Sequence, residues 1–558
     1  MPTAYVNDIP VELGTRTLNG VQAAELAGVL VPHYCYHPSL SIVASCRMCL
    51  VEMGSLKDGK VTMQPKVLPG CQTPVKDGDV IVTGDYGKHK NGHKPLPYDP
   101  NYRPAERAKK AQADTLEGLL LNHPLDCPVC DKAGECKLQD YSYEFGRSES
   151  RLMDEKNRPA NKPDLGSSIT LFTDRCILCT RCVRFTREIS GSAELQVVGR
   201  GHHEEIDTFP GRPLENKLAG NVVDLCPVGA LGSKDFLYTQ RVWYLKTTPG
   251  VCPGCSTGCS THVDANKDIV YRLRGRENLE AQGYYLCDEG RYGYHYANAE
   301  ARIRRPMTKL AGKSAPAPIS EAIKAARKGI EEAAFLKAKA TLAVLSPFLT
   351  VEEAFLYASY FKGLSSGVRL ALGPVPVVGE DDHYPKDVKG SAVAPTKFTI
   401  RAEKCPNKKG VEAVLEYFQS EVLPFDRVKG EPFAGVWFAG GYPDPAREPS
   451  TVTAEFLVVQ DLFPSALSAN ADVVLPATAA FEKDGTFVNH AGLAQTFPRA
   501  ARPPGEVRGE AQIACDLLGR KGLVQMKEVR KEVAAAMPIF AGLVEPTPTG
   551  KRLELATV

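Results

Sequence analysis

The clustering of cysteines constrains this sequence more than any other feature. Of its 17 cysteines, 15 fall at or before Cys287 and divide into groups with short internal gaps. The first residues show no basic segment followed by an apolar one, so neither a signal peptide nor a transit peptide is expected. Clustered cysteines without a secretory signal favour metal ligation over disulfide bonds.

The first group is Cys35-x10-Cys46-x2-Cys49-x21-Cys71, called group 1 below. Three close thiolates and a distant fourth can hold a [2Fe–2S] cluster, although the first gap is longer than in plant-type ferredoxins. Short β-type runs separated by Gly, Asp and Pro surround the group and favour a ferredoxin-like domain. Arg47, inside the loop, is either a counter-charge for the cluster or a solvated surface residue.

Group 2 is His123-x3-Cys127-x2-Cys130-x5-Cys136. Three cysteines and one histidine suit tetrahedral zinc as well as iron. His123 alone could equally be an ordinary residue at a helix end, since Pro124 follows it. The spacing therefore leaves both the metal and the role of His123 open.

Group 3 is Cys176-x2-Cys179-x2-Cys182 followed, after 43 residues, by Cys226-Pro227. In bacterial ferredoxins C-x2-C-x2-C supplies three ligands to a [4Fe–4S] cluster and a remote Cys-Pro supplies the fourth. Because only the Cys-Pro of a second half-motif is present, we expect one cluster here. Zinc is disfavoured, since three closely spaced thiolates suit three corners of one cubane.

Group 4 is Cys252-x2-Cys255-x3-Cys259-x27-Cys287, again three close thiolates and a remote one. Arg274 lies between the last two and is interpreted as surface charge, as is Arg276. Fifteen cysteines and one histidine thus make four sites of four ligands. Four zinc sites would satisfy the same count, but the spacings of groups 1 and 3 favour iron.

The C-terminal part has a different sequence pattern, in which helical segments alternate with apolar strands. Alternation of this kind predicts a largely parallel sheet covered on both faces. The predicted helices are 319–339 and 351–361, and the predicted strands are 340–345, 435–439, 456–460 and 473–475.

Several functional classes are excluded or disfavoured. The chain has 68 basic and 66 acidic residues, so its charge gives no reason to expect a nucleic-acid partner. No apolar stretch reaches the roughly 18 residues of a membrane span. Neither a phosphate-binding loop nor a dinucleotide fingerprint is present, and no catalytic residue can be assigned. Cys405 and Cys515 are isolated and are expected to be small buried hydrophobes.

Several segments resemble the large iron–sulfur subunit of proton-pumping NADH:quinone oxidoreductase, respiratory complex I (the G-type subunit in bacteria). The resemblance covers about residues 3–300. The segments that carry it are YCYHP (34–38), SCRMCLVE (45–52), NHPLDCPVC (122–130), GECKLQD (134–140) and DRCILCTRC (174–182).

This resemblance implies a [2Fe–2S] cluster on group 1 and a [4Fe–4S] cluster on group 3. It also implies a [4Fe–4S] cluster with an unusual histidine ligand, His123, on group 2. Group 4 is similar to the N-terminal cluster domain of molybdopterin oxidoreductases, which some bacterial members of the complex I family keep. A third [4Fe–4S] cluster is expected there.

The C-terminal part resembles the same molybdopterin fold, notably at ADVVLPAT (471–478) and EKDGTFVN (482–489). It is shorter than a working molybdenum enzyme requires, and Cys405 is not in a convincing ligand motif. We therefore expect a degenerate, structural domain without molybdenum.

The function implied is electron transfer from a flavin on a partner chain toward quinone, with no nucleotide or quinone site on this chain. The family implies entry at group 1, passage across group 3 and exit through group 2. Expected partners are the flavin and NADH-binding subunit, a small [2Fe–2S] subunit and further iron–sulfur subunits. The expected location is cytoplasmic, at the inner face of the plasma membrane, with membrane contact only through the complex.

Three alternatives remain at this point. A molybdenum formate dehydrogenase subunit would contain similar clusters. An iron hydrogenase would need four further cysteines, and only two remain. A zinc-stabilised scaffold would have no redox function.

The fold class expected is α+β and α/β multidomain, beginning with a β-grasp [2Fe–2S] domain. The predicted segments are a [2Fe–2S] ferredoxin-like domain (1–84), a linker with the group 2 segment (85–146), a [4Fe–4S] ferredoxin-like domain (147–241), a molybdopterin-oxidoreductase-type cluster domain (242–302) and the degenerate α/β domain (303–558).

Overall fold

The computed structural model describes residues 1–87, 93–310, 312–447, 452–545 and 547–554. It contains two compact units. Unit 1 comprises Met1–Trp243 with Pro385–Val393, and unit 2 comprises Tyr244–Tyr384 with Ala394–Val558. The finer division into five segments stays a prediction.

Unit 1 is built from short elements joined by long loops. Its longest helix has 15 residues and several of its strands have only three or four. In chain order the elements are β1 (Thr3–Val6), β2 (Ile9–Glu12), α1 (Gly20–Leu26), β3 (Leu50–Lys57), β4 (Lys60–Pro69), β5 (Asp79–Val82), α2 (Glu106–Leu120), α3 (Lys137–Phe145), β6 (Ile169–Leu171), α4 (Arg181–Glu188), β7 (Leu195–Val198), β8 (Glu205–Thr208), α5 (Asn221–Leu225) and β9 (Leu231–Ser233).

A five-stranded mixed sheet forms the N-terminal part of unit 1, in the order β2-β1-β5-β3-β4. Strands β1 and β5 run parallel, and the other neighbours are antiparallel. Val6, Val51 and Ile81 are fully buried between this sheet and the segment that contains α1. This arrangement matches the predicted β-grasp domain.

The basic stretch 85–107 begins the predicted linker, and its described residues 85–87 and 93–105 form no helix or strand before α2 begins at Glu106. Its residues 88–92 lie outside the described residues. The Tyr98 hydroxyl donates to Asp8 at 2.7 Å, and Tyr98 packs near Val80 and Val82 of the sheet. The described part of this loop therefore packs against the sheet in addition to facing solvent.

Unit 2 contains longer elements around a large sheet. In chain order they are β10 (Lys246–Val251), β11 (Ser260–Asn266), β12 (Ile269–Gly275), α6 (Asp288–Tyr292), α7 (His295–Asn298), β13 (Met307–Leu310), β14 (Lys313–Pro316), α8 (Ile319–Lys337), β15 (Thr341–Leu345), α9 (Val351–Leu364), β16 (Arg369–Leu372), β17 (Asp382–Tyr384), β18 (Phe398–Ile400), α10 (Lys408–Phe418), β19 (Phe433–Ala439), β20 (Ala454–Asp461), α11 (Ala466–Asn470), β21 (Val473–Pro476), β22 (Gly485–Val488), β23 (Leu493–Phe497), α12 (Glu510–Leu517), α13 (Met526–Ala536) and β24 (Lys551–Arg552).

The large sheet has seven strands in the order β14-β13-β21-β20-β19-β15-β16. The five strands from β21 to β16 are parallel, and β13 joins the edge antiparallel. Every residue of β15 and β19 is buried, as expected for strands covered on both faces. The parallel, covered sheet predicted from the C-terminal sequence is confirmed, together with the helices α8 and α9 beside it.

The helices of both units have the length and polarity of helices in globular domains. Within the described ranges, no helix combines the length and apolar character required of a bilayer-spanning segment.

Candidate metal centres

Group 1 lies beside the N-terminal sheet, where strand pairing brings its distant members together. Leu50 pairs with Pro69 across β3 and β4, so Cys49 just before β3 meets Cys71 just after β4. The Cys35 thiol is hydrogen-bonded to the thiols of Cys46 and Cys71, and these bonds lower the pKa of Cys35 while they raise the pKa of Cys46 and of Cys71. A lowered pKa favours the thiolate, which is the form that binds metal.

The surroundings of group 1 exclude water, and the two neighbouring histidines, His33 and His37, are neutral there. Cys35, Cys49 and Cys71 are at most 1% exposed. Burial lowers the pKa of His33 to about 4 and that of His37 to about 3. The Arg47 side chain is exposed, as in the surface interpretation of this residue.

Group 2 lies between the end of α2 and the start of α3. His123 follows α2, Cys127 and Cys130 share one helical turn, and Cys136 is the residue before α3. His123, Cys127 and Cys136 line one cavity, and the thiols of Cys127 and Cys136 interact electrostatically with Cys130. Burial lowers the pKa of His123, so its ring is neutral and able to act as a ligand.

Group 3 lines a single narrow cavity whose other walls are mainly apolar, including Leu171 and Ile206. Its four members are Cys176, Cys179, Cys182 and Cys226. Burial raises the pKa of Cys176 to about 12 and that of Cys179 to about 11. These thiols would therefore release protons on binding a metal.

The backbone of group 3 is bent to surround the cavity. Leu178 and Thr180, on either side of Cys179, have φ angles of 50° and 57°, in the left-handed region that non-glycine residues rarely adopt. The Leu178 N–H donates to the Cys176 sulfur at 3.4 Å. The bend thus directs an amide toward a sulfur, which is a feature of sites that hold thiolate-ligated metals.

Group 3 contacts group 2 directly. The Cys136 thiol and the Lys137 N–H both donate to the Pro227 carbonyl, at 3.9 Å and 3.1 Å. A β-carbon on Gly229 would clash with the Cys130 sulfur, so this close approach requires glycine.

An ion pair adds to this connection. Arg175, the residue before Cys176, pairs with Asp126, the residue before Cys127, at 3.1 Å. Groups 2 and 3 are therefore joined through both backbone and side-chain contacts.

Group 3 also contacts group 1, through two arginines of α4. Arg184 donates to the carbonyl oxygens of Cys35 at 2.5 Å and of Cys179 at 3.3 Å. Arg181 donates to the carbonyl oxygens of Tyr36 and Leu225. Group 3 thus contacts both group 1 and group 2 within unit 1. The sequence analysis missed these arginines, although the R of the CILCTRC motif marks one of them.

Group 4 belongs to unit 2 and is formed by a hairpin and a helix start. Cys252, Cys255 and Cys259 occupy the loop between the antiparallel strands β10 and β11, and Cys287 is the residue before α6. The Cys252 N–H donates to the Cys259 carbonyl at 2.8 Å. All four are at most 6% exposed, and burial raises the pKa of Cys252 to about 12.

The group 4 loop is tied to the C-terminal α/β part of unit 2. Thr257 donates to the Thr399 carbonyl at 2.6 Å, and Asn489 donates to the Thr257 carbonyl at 3.0 Å. Gln495 donates to the Gly258 carbonyl at 2.6 Å. The two predicted segments 242–302 and 303–558 therefore share hydrogen bonds around this site.

Two sequence interpretations outside the groups can be judged here. Cys405 and Cys515 are at most 4% exposed in hydrophobic clusters, so the prediction that they are buried hydrophobes is confirmed. The surface interpretation of Arg274 is wrong, because Arg274 pairs with the fully buried Asp264 at 2.8 Å. An unpaired Asp264 carboxylate in that position would be costly.

Among the residues that the structure describes, no three Cys, His, Asp or Glu side chains converge as ligands of one metal ion. The members of each group instead neighbour one another around a loop or cavity.

The sheet of unit 2 has a point where ligands bind in many α/β proteins. Its five parallel strands follow the order 2-1-3-4-5, and the direction in which successive strands are added to the sheet reverses between β15 and β19. Phe348, after β15, and Tyr442, after β19, pack there with ring centroids 5.1 Å apart. Tyr442 is fully buried and donates to the Pro374 carbonyl at 2.8 Å. Two aromatic side chains therefore pack against each other at this point of the sheet.

Comparison with known families matches five parts of the chain. The matched families are the 2Fe-2S iron-sulfur cluster binding domain (17–86), the NADH-ubiquinone oxidoreductase-G iron-sulfur binding region (112–151), the NADH-quinone oxidoreductase subunit 3 ferredoxin-like domain (166–232), the molybdopterin oxidoreductase Fe4S4 domain (245–299) and molybdopterin oxidoreductase (421–520). The predicted fold class is confirmed by these matches.

Similar proteins carry related names. The G-type subunit of NADH-quinone oxidoreductase from Rickettsia felis is 27% identical, over 94% of this chain and 88% of that protein. The protein of the same name from Rickettsia conorii is 34% identical over 62% of this chain and 46% of its own length.

A third relative comes from a plant. "NADH dehydrogenase [ubiquinone] iron-sulfur protein 1, mitochondrial" of Solanum tuberosum is 37% identical over 54% of this chain and 37% of its own length. The chain thus spans less than half the length of two of these three curated relatives.

Proposed function

We infer that this chain, a homologue of the G-type subunits of NADH-quinone oxidoreductase, is an electron-transfer iron–sulfur subunit of such an oxidoreductase. One observation carries the proposal. Three of the four ligand groups lie in one unit and contact one another: group 3 contacts both others, and Tyr34, beside Cys35, packs 5.3 Å from Tyr141 of α3, the helix that Cys136 precedes. An electron relay needs such an arrangement, whereas a set of independent structural metal sites does not.

We propose that group 1 holds a [2Fe–2S] cluster and that groups 2, 3 and 4 each hold a [4Fe–4S] cluster. When bound, such clusters supply one-electron redox chemistry. The chain contributes buried thiols, amide donors to sulfur such as Leu178 N–H, and the neutral ring of His123. Burial and hydrogen bonds of this kind set reduction potentials.

We propose entry at group 1, passage across group 3 and exit at group 2, which is the order that the family resemblance implies. A flavin-bearing subunit would then deliver electrons near group 1. A further iron–sulfur subunit would accept them near group 2, on the cytoplasmic side of the membrane. A small [2Fe–2S] subunit completes the expected partners, and neither NADH nor quinone would bind this chain.

The C-terminal domain is proposed to be structural. Phe348 and Tyr442 pack against each other at the point where an α/β sheet of this topology binds ligands, and Tyr442 is fully buried there. The alternative of a molybdenum formate dehydrogenase subunit is not favoured, because the relatives above are named as subunits of NADH-quinone oxidoreductase or NADH dehydrogenase.

Metal analysis of the full chain, purified without air, tests this proposal. We expect about 14 iron atoms per chain and neither zinc nor molybdenum in stoichiometric amounts. Cys226→Ser should remove about four iron atoms, while the matched control Cys515→Ser should remove none. Near-stoichiometric zinc with little iron would contradict the proposal.

The role of His123 has its own test. Imidazole is neutral where thiolate is anionic, so His123→Cys should lower the reduction potential of the group 2 cluster. Potentiometric titration followed by electron paramagnetic resonance would measure this shift. An unchanged potential with an intact cluster would show that His123 is not a ligand.

A further inference from the structure

Two arginines lie between groups 1 and 3, and both are nearly inaccessible to solvent. Arg181 and Arg184 are each 5% exposed, although they begin a short helix, α4. Arg184 reaches three backbone carbonyls, those of Ser41 at 2.6 Å, Cys35 at 2.5 Å and Cys179 at 3.3 Å. Each side chain therefore touches the loops of both groups.

Their charges are not neutralised by acidic side chains. Within the ranges that the structure describes, the partners of both guanidiniums are carbonyl and hydroxyl oxygens, and none is a carboxylate. Burial of an uncompensated cation is costly in free energy. A second source of negative charge close to both side chains would remove this cost.

Two neighbouring arginines, Arg175 and Arg187, differ from Arg181 and Arg184 in their burial or in their partners. Arg175 is equally buried beside group 3, but Asp126 pairs with it at 3.1 Å. Arg187 lies on α4 as well, but it is exposed to solvent. Only the two arginines between the groups combine burial with the lack of a carboxylate partner, among these four.

Clusters held by four thiolates carry net negative charge, and one-electron reduction adds another negative charge. A buried cation nearby stabilises the reduced form more than the oxidised form, which raises the reduction potential. Because Arg184 contacts the carbonyls of both Cys35 and Cys179, its charge acts on both sites.

We propose that Arg181 and Arg184 form a shared counter-charge for the clusters of groups 1 and 3. They are positioning residues that hold the two ligand loops together and raise both reduction potentials at once. This inference rests on the proposed function, since the arginines have no anionic neighbour without the clusters.

Potentiometric titration of the full cluster-loaded chain, followed by electron paramagnetic resonance, tests the proposal. At a fixed potential, Arg184→Gln should lower the reduced-to-oxidised ratio of both clusters by about tenfold, or about 59 mV for one electron. The group 2 signal serves as an internal reference and should not move. The control Arg187→Gln removes a solvent-exposed charge from the same helix and should change each ratio by less than about twofold.

A second variant covers the case in which Arg184→Gln loses a cluster. Arg184→Lys keeps the charge but donates from a single atom. If it retains both clusters with potentials near the parent values, the charge is what the site needs and the proposal stands. If it loses the same cluster as Arg184→Gln, hydrogen-bond geometry alone explains the loss and the proposal is overturned.

The outcomes also separate the two levels of inference. A parent chain without the signals of groups 1 and 3 would overturn the proposed function and the shared counter-charge with it. Signals that are present in the parent and unshifted at either cluster in Arg184→Gln would overturn the counter-charge alone.

Discussion

The two units place cysteine groups on very different supports. In unit 1, the region around group 3 relies on β6 and β9 with three residues each and on α5 with five. In unit 2, group 4 lies on a hairpin beside a seven-stranded sheet, with helices such as α8 of 19 residues. The same number of ligands is therefore attached to a weak local framework in one case and to a self-supporting one in the other.

The difference teaches that the same type of site can depend on metal to different degrees. Strands of three residues and a helix of five residues are marginal without further support, so ligand bonds would supply much of the order around group 3. The sheet of unit 2 instead buries a continuous apolar core that includes Leu345, Phe361 and Trp437. Burial of this kind is stabilising without metal.

The largest expected effect comes from removing iron from the full chain with a chelator. Residues 166–243 should lose their protection against amide hydrogen exchange, because ligation and folding are coupled there. Strands β15, β19 and β20 should stay protected. Hydrogen exchange measured by mass spectrometry would check this. Equal loss of protection in both regions would show that they depend on metal to the same degree.

Truncation of a core side chain in unit 2 should destabilise unit 2 without affecting the metal sites of unit 1. Trp437 is fully buried, with ring centroids 5.9 Å from both Tyr357 and Phe361. Trp437→Ala should cost about 3–5 kcal/mol of the free energy of unfolding of unit 2 and leave the iron content of unit 1 unchanged.

Its matched control is Phe335→Ala on α8, where the side chain is 89% exposed. This change should stay within about 0.5 kcal/mol in denaturant unfolding. A similar cost for both variants would mean that the core around Trp437 does not hold the sheet together.

Group 4 provides an intermediate test, because its loop is bonded to the α/β part of unit 2. Cys287→Ala should reduce the amount of assembled oxidoreductase several-fold, which corresponds to about 1–2 kcal/mol of stability. Turnover per assembled complex, normalised to bound flavin, should change much less. A loss of turnover beyond roughly tenfold, about 1.4 kcal/mol of barrier, would instead place the group 4 cluster on the electron path.

The smallest expected effect is a pH dependence confined to unit 2. Burial raises the pKa of Glu353 to about 7, and Lys483 pairs with its carboxylate at 3.0 Å. Because the folded pKa is raised, the stability that the proton contributes is complete below the unfolded pKa and is lost as the pH rises through about 7.

Unfolding of unit 2 should therefore become easier as the pH rises from about 4.5 to about 7, by at most about 1.4 kcal/mol per pH unit, and should change little above about pH 8. Glu353→Gln mimics the protonated acid and should flatten this dependence. A dependence of the same size in the variant would assign it to other groups.

The sequence was sufficient for the features that depend on local spacing. Alternating apolar strands and helices predicted the covered parallel sheet, because a strand that is buried on both faces consists of consecutive apolar residues. The C-x2-C-x2-C spacing around Cys179 likewise predicted one set of neighbouring thiols, which the structure places around one cavity. The assignment of a cluster to each group stays a proposal.

The tertiary structure alone decided how these parts are connected. Arg184 and Cys35 are 149 positions apart, and Cys136 and Pro227 are 91 apart. Spacing within a motif carries no information on such pairs, because they meet only when separate loops pack together. The contacts of group 3 with both other groups of unit 1, the buried arginines beside it and the packing of Phe348 against Tyr442 all depend on contacts of this kind.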